Sequence, residues 1–136
     1  MPEIRWFGAL KVEVEEDTVH VVALGEVSIE QVAEYFKFIE EVQAQHGRLF
    51  VIADLAPARQ IPDQRVRSMT AQWTAKNLVN GVAMYGIDPI LRVFASLVFN
   101  AANLMRRGSA VVFFAKDEAA ARQWVAQRRA ALGKSP

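Results

Sequence analysis

The sequence contains no cysteine. That excludes disulfide staples, thiolate zinc sites and a cysteine nucleophile. Histidine is nearly as scarce, with only His20 and His46. A zinc site needs several converging ligands. One histidine in a strand pattern and one at a helix end do not supply them, and His46 is expected simply to complement a helix C-terminus. The glycines are scattered and build no phosphate loop. The serines at positions 28, 68, 96, 109 and 135 have no nucleophile-elbow context. The longest apolar stretch, Pro89 to Met105, is broken by Arg92, Ser96, Asn100 and Asn103, which is too polar for a membrane span. Met1-Pro2-Glu3-Ile4-Arg5 lacks the basic and apolar regions of a signal peptide, so the cytoplasm is the expected location. No catalytic residue, metal or cofactor is expected.

What is present suits one ordered domain. Of 136 residues, 52% are apolar and 23% charged, enough for a buried core at average surface charge. A single domain is expected over residues 1–132, with 133–136 a frayed tail. The net charge of +1 hides an asymmetry. Met1 to His46 holds ten acidic and three basic residues, whereas Gly47 to Pro136 holds five acidic and thirteen basic. Such a division marks either an anionic partner or two balancing faces.

Leu10 to Glu16 alternates apolar and polar residues, as a half-buried strand does. Asp17-Thr18 makes a tight connection to a second strand, Val19 to Leu24, and the two form a hairpin. Ser28-Ile29-Glu30-Gln31 is a capping box with Val27 and Val32 as its hydrophobic staple. The helix it opens runs to about Gln45, and Gly47 stops it. Arg48 to Leu55 is nearly all apolar, the pattern of a central strand covered on both faces. Pro57 and Pro62 bracket a loop, and Asp63 caps a second helix that ends at Asn80-Gly81. Val82 to Gly86 is a short strand. Asp88-Pro89 starts a third helix that reaches Arg106-Arg107-Gly108. Ala110 to Phe114 is a strand, and Asp117 caps a last helix closed by Gly133. The expected order is β-β-α-β-α-β-α-β-α, an α/β domain with a mixed sheet, an N-terminal hairpin and four helices.

These segments resemble the SpoIIAA-like branch of the STAS superfamily, the anti-sigma-factor antagonists and their relatives. The likeness runs from about Leu10 to Ala130. It lies in the early hairpin ending at Gly25, the capped helix, the strand ending in Asp54-Leu55 and Val82-Ala83-Met84-Tyr85-Gly86. It closes on Val112-Phe113-Phe114-Ala115-Lys116-Asp117-Glu118-Ala119-Ala120-Ala121-Arg122-Gln123-Trp124. The resemblance implies a STAS-like fold and a non-enzymatic module acting through protein contacts or by binding a small apolar ligand, since some relatives are grouped with lipid-binding domains. One departure stands out. Switches of this family carry a phosphorylatable serine in the loop after the central strand. Here residues 54–63 contain neither serine nor threonine, and Ser68 lies further on, inside the helix. The resemblance therefore implies a fold rather than a phosphorylation switch.

Several surfaces are candidates for contact. Arg59, Arg65 and Arg67 surround the loop and helix start after the central strand, where switch-point crevices open and helix N-termini favour anions. No aromatic platform interleaves them, so nucleic acid is not an expected partner. Glu13, Glu15, Glu16 and Asp17 are expected on a solvated edge. Two helices are apolar beyond one face. In the first, Ile29, Val32, Ala33, Phe36 and Ile39 form a core stripe, and Tyr35, Phe38 and Val42 continue it. In the third, a narrow polar strip of Arg92, Ser96, Asn100, Asn103 and Arg107 leaves the rest apolar, including Phe94 and Phe99. The excess must meet another helix, a second copy or an apolar ligand. The expected function is a regulatory or scaffolding module working by protein contact as a homodimer. The alternative is a carrier of a small apolar, lipid-like molecule, its pocket walled by Phe94 and Phe99. An enzyme would need a cleft joining Asp54, Asp88 and an arginine.

Overall fold

The N-terminal alternation is present and begins one strand earlier than expected. The computed structural model describes residues 3–58, 62–77, 79–106 and 111–133. Strand β1 (Glu3–Phe7) pairs antiparallel with β2 (Leu10–Glu15), which pairs antiparallel with β3 (Thr18–Ala23). Then follow α1 (Ile29–His46), β4 (Phe50–Asp54), α2 (Gln64–Lys76), β5 (Gly81–Tyr85), α3 (Pro89–Arg106), β6 (Val112–Ala115) and α4 (Glu118–Gly133). The N-terminal unit is thus a three-stranded meander rather than a hairpin, and the order is β-β-β-α-β-α-β-α-β-α. Gly133 lies within α4, while Arg107, Gly108, Ala110 and 134–136 fall outside the described residues.

The six strands lie side by side in chain order, and β3 to β6 are parallel. Every crossover steps one strand in the same direction. With a fixed crossover hand, successive helices must then land on the same face. The core confirms this. Val32, Phe36 and Ile39 of α1, Met69 and Trp73 of α2 and Phe99 of α3 pack with Val12, Val19, Val51 and Met84 on one face. Helix α4 alone covers the other, through Ala121, Val125 and Trp124 against Phe50, Ile52 and Ala83. Strand β4 is buried on both faces, so its side chains are apolar without alternation. Strand β2 is covered on one face only, which is why it alternates, whereas in β3 Thr18 and His20 also meet Arg129 of α4 and Tyr85 of β5 on the other face.

The helix starts follow local chemistry. Ser28 Oγ accepts from Gln31 N at 3.2 Å and Gln31 Oε1 accepts from Ser28 N at 3.0 Å, the capping box read from the sequence. Asp63, Asp88 and Asp117 accept from Arg65 N, Ile90 N and Ala120 N at 2.6, 2.8 and 2.8 Å. Helix α2 stops earlier than expected, at Lys76. Asn80 leads into the next strand, where Leu49 N donates to its Oδ1 at 2.9 Å and its own N donates to Leu49 O at 2.8 Å. The charged turn also differs. Asp17 is not on a solvated edge but is 3% exposed. Arg129 grips it with Nη2 at 2.7 Å and Nε at 3.2 Å, and Arg48 Nε binds it at 2.5 Å. The edge strand is β1, not β2.

Candidate functional site

An apolar cleft of about 510 Å³ opens between α1, α2 and α3. It is lined by the N-terminal parts of α1, α2 and α3 where they face the ends of the strands. Near the middle of α1, Phe36 stacks on Trp73 of α2, with ring centroids 4.6 Å apart and planes 10° apart, and Trp73 Nε1 donates to Glu40 at 2.8 Å. Toward their N-termini the helices spring from different strand ends. The gap between them is floored by Leu10, Ala23 and Met84 and closed on the far side by Leu91, Phe94, Val98 and Phe99 of α3. The staple residues Val27 and Val32 form its α1 wall. Leu55 and Ile87 bring in the ends of β4 and β5.

Gly86 sets the chain's path at this end. It has φ 70°, and a Cβ there would sit 2.8 Å from Ala56 Cβ and 3.0 Å from Ala56 N. Only glycine lets the exit of β5 pass so close to the loop after β4. Leu55 N donates to Tyr85 O at 3.0 Å across the same contact.

Polar groups in the cleft are few. Glu26, Asp63, Arg67 and Thr70 are the side chains of this kind on its wall. Thr70 Oγ1 donates to Val66 O at 2.8 Å and Asp63 caps α2, so both are occupied locally. Arg67 Nη1 donates to Pro62 O at 2.7 Å, and its guanidinium lies 5.0 Å from the Phe94 ring centre. It is the one cation of the cleft wall among the described residues.

The predicted contact residues separate into groups. Arg67, Phe94 and Phe99 come together on the cleft. Arg65 points away, 74% exposed at its side chain, with Asp63 at 3.8 Å. Arg59 lies outside the described residues. Tyr35 and Phe38 are no free surface. Both are 8% exposed, covered by the unforeseen β1: Phe7 meets them at 6.3 and 5.7 Å between ring centres, and Arg5 lies over Phe38. Nor does a switch point create the crevice, because the strand order never reverses. Sequence reasoning missed Leu24, Leu55 and Leu91 as cleft residues. Their only signal was position, each at the exit of a strand or the first turn of a helix.

A polar chain lies on the opposite face. Tyr85 Oη donates to Glu118 at 3.3 Å and stands 2.9 Å from His20 Nε2, while Arg122 Nε donates to Glu118 at 2.7 Å. Burial first, then the carboxylates of Asp54 and Glu118, push the Tyr85 phenol well above its ordinary value. The Arg122 hydrogen bond pulls Glu118 below its own. The phenol is therefore held protonated, a donor rather than a base, and it fastens β5 to α4. Asp54 closes its own turn by accepting from Ala56 N, and Asp88 caps α3. Neither lines the cleft. Among the described residues, no three of His, Asp or Glu cluster as a metal site would require.

The chain matches no protein-family model and no curated protein sequence. Its α/β fold, a six-stranded mixed sheet with four helices, stands on the structure alone.

Proposed function

We propose that this protein is a non-enzymatic binding module that holds a small apolar, lipid-like ligand between α1, α2 and α3. The observation that carries this reading is the cleft. Its volume of about 510 Å³ falls within the range of small-molecule sites, and its wall is apolar with few polar groups, as such sites are. The resemblance to the SpoIIAA-like branch of STAS domains supports it through that branch's lipid-binding relatives. The STAS-like assignment is part of the same proposal. Mass spectrometry under native and then denaturing conditions tests it. Small-molecule mass carried by the native protein and lost on denaturation is the expected result. Phe94→Gln, folded by circular dichroism, should carry less of it. A bare protein that also fails to take up long-chain lipids would refute the reading.

A second reading is a regulatory or scaffolding module acting by protein contact, with a second copy as partner. It is favoured by the half of the sheet that α4 leaves uncovered. There Ile4 and Trp6 of the edge strand β1 are 49% and 57% exposed. Sedimentation of Trp6→Gln beside the unsubstituted protein tests it: a dimer that the substitution splits is expected, and a monomer at every concentration refutes it.

A further inference from the structure

Helix α3 carries a second apolar face that neither the core nor the cleft uses. Ile90, Val93, Leu97 and Leu104 are 62%, 58%, 57% and 83% exposed. At 3.6 residues per turn they fall within about 60° of the helix circumference and form a ridge about 21 Å long. Scattered exposed leucines are ordinary, but a continuous ridge marks a contact surface. The segment that builds α2 and α3 is cationic in sequence: from Gln64 to Arg106 it has five basic residues and one acidic residue, Asp88, which caps α3. On one flank Arg67 lies over Phe94, and on the other Arg92 lies over Phe114, 4.4 Å from its centre.

We propose that this ridge docks α3 onto an anionic lipid surface, its four apolar side chains entering the headgroup layer and the flanking arginines meeting phosphates. Charge decides the kind of occupant. A second copy set on the same ridge by a two-fold axis would bring cations against cations. The four ridge residues offer a protein partner no hydrogen bond to fix its register, and a convex helix face supplies no groove. A lipid surface requires neither, and it rewards an apolar ridge with basic margins. The docking is peripheral, since no helix among the described residues is long and apolar enough to cross a membrane. It concerns the outer face of α3, not the cleft, so it stands or falls whether or not the cleft holds a ligand.

Co-sedimentation with vesicles tests it, using phosphatidylcholine with and without added phosphatidylglycerol at low and high salt. The full chain should pellet with the anionic vesicles, weakly with the neutral ones, and be released by salt. Leu97→Gln and Leu104→Gln should each lower the partition coefficient about tenfold with an unchanged circular dichroism spectrum. Leu132→Gln, on α4 at the opposite face of the sheet, should leave it unaltered. Leu97→Trp should show a blue shift of emission on adding anionic vesicles. Failure of the unsubstituted protein to bind anionic vesicles at low salt would overturn the proposal, as would binding that both glutamine variants retain. A dimer in solution that Leu97→Gln converts to monomer would overturn it too, and would assign the ridge to self-association.

Discussion

Replacing Asp17 by Asn should cost the fold about 2–3 kcal/mol at neutral pH. Asp17 sits in the turn between β2 and β3, 3% exposed, where its carboxylate receives Arg129 through two nitrogens, Arg48 through a third and Thr18 Oγ1 at 3.1 Å. Arg129 belongs to α4 and Arg48 to the approach to β4, so one carboxylate ties together three parts of the chain. Removing one partner of a fully buried ion pair costs more, ~3–5 kcal/mol. Here the arginine side chains remain 35% and 39% exposed and can rehydrate, which lowers the figure. In a domain of this size the change corresponds to a fall in Tm of roughly 8–12 °C. Urea denaturation followed by tryptophan fluorescence measures it. A cycle with Arg129→Met should show a coupling of about 1 kcal/mol or more, because the two groups touch. A loss below about 0.5 kcal/mol, the scale of an ordinary surface substitution, would refute the argument.

The pH dependence gives a second readout of the same bond. Burial alone would raise the Asp17 carboxyl, but the hydrogen bonds from Arg129, Thr18 and Arg48 outweigh it and hold the group below its ordinary value. A carboxylate whose folded value is depressed contributes stability that is complete above its unfolded value and is lost as pH falls through the folded one. The gap between the unsubstituted protein and Asp17→Asn should therefore be full above about pH 5 and close as pH drops below about 4. A gap that stays constant down the acid limb would mean that the carboxylate charge is not what holds the turn.

Ser28→Ala should cost about 1 kcal/mol by opening the capping box of α1, measured by urea denaturation. Gly86→Ala should cost about 2 kcal/mol, because it combines φ 70° with a close approach to Ala56. Its thermal melt should show the loss, and Gly25→Ala, whose Cβ would meet only Ala9 at 3.5 Å, serves as the milder comparison. Phe7→Ala should cost about 2 kcal/mol and uncover Tyr35 and Phe38. Increased binding of a hydrophobic dye is the readout.

Every element whose boundary is written in local chemistry was legible from the sequence. The capping box at Ser28, the aspartates at 63, 88 and 117, and the unbroken apolar run of β4 need no tertiary information. Strand β1 was not legible. Glu-Ile-Arg-Trp-Phe has charged residues on the side that faces α1, where Glu3 and Arg5 stay more than half exposed and pair with each other at 2.8 Å, and Arg5 lies over Phe38, 4.9 Å from the ring centre. The signal that could have disclosed it is Gly8, at φ 60° in a two-residue loop between apolar positions. The burial of Asp17 was invisible for a different reason. Its partner Arg129 lies 112 positions away, and nothing local distinguishes it from the solvated Glu15 and Glu16.

The missed strand redistributes the surfaces on which function was sought. Two helices were apolar beyond one face, and the sequence offered no way to tell which excess was internal. Strand β1 absorbs that of α1, so Tyr35 and Phe38 are buried against Phe7 at the edge of the sheet. Among the described residues no corresponding element covers the outer face of α3. Its excess divides in two: Phe94 and Phe99 turn into the cleft, while Ile90, Val93, Leu97 and Leu104 turn outward. Both halves follow from the monotonic strand order. With α1, α2 and α3 in a row on one face, α3 is the end of the row. A middle helix has neighbours on both sides, but an end helix has one. What α3 does not bury against α2 stays open, which is why the proposed ligand cleft and the proposed lipid-facing ridge share one helix.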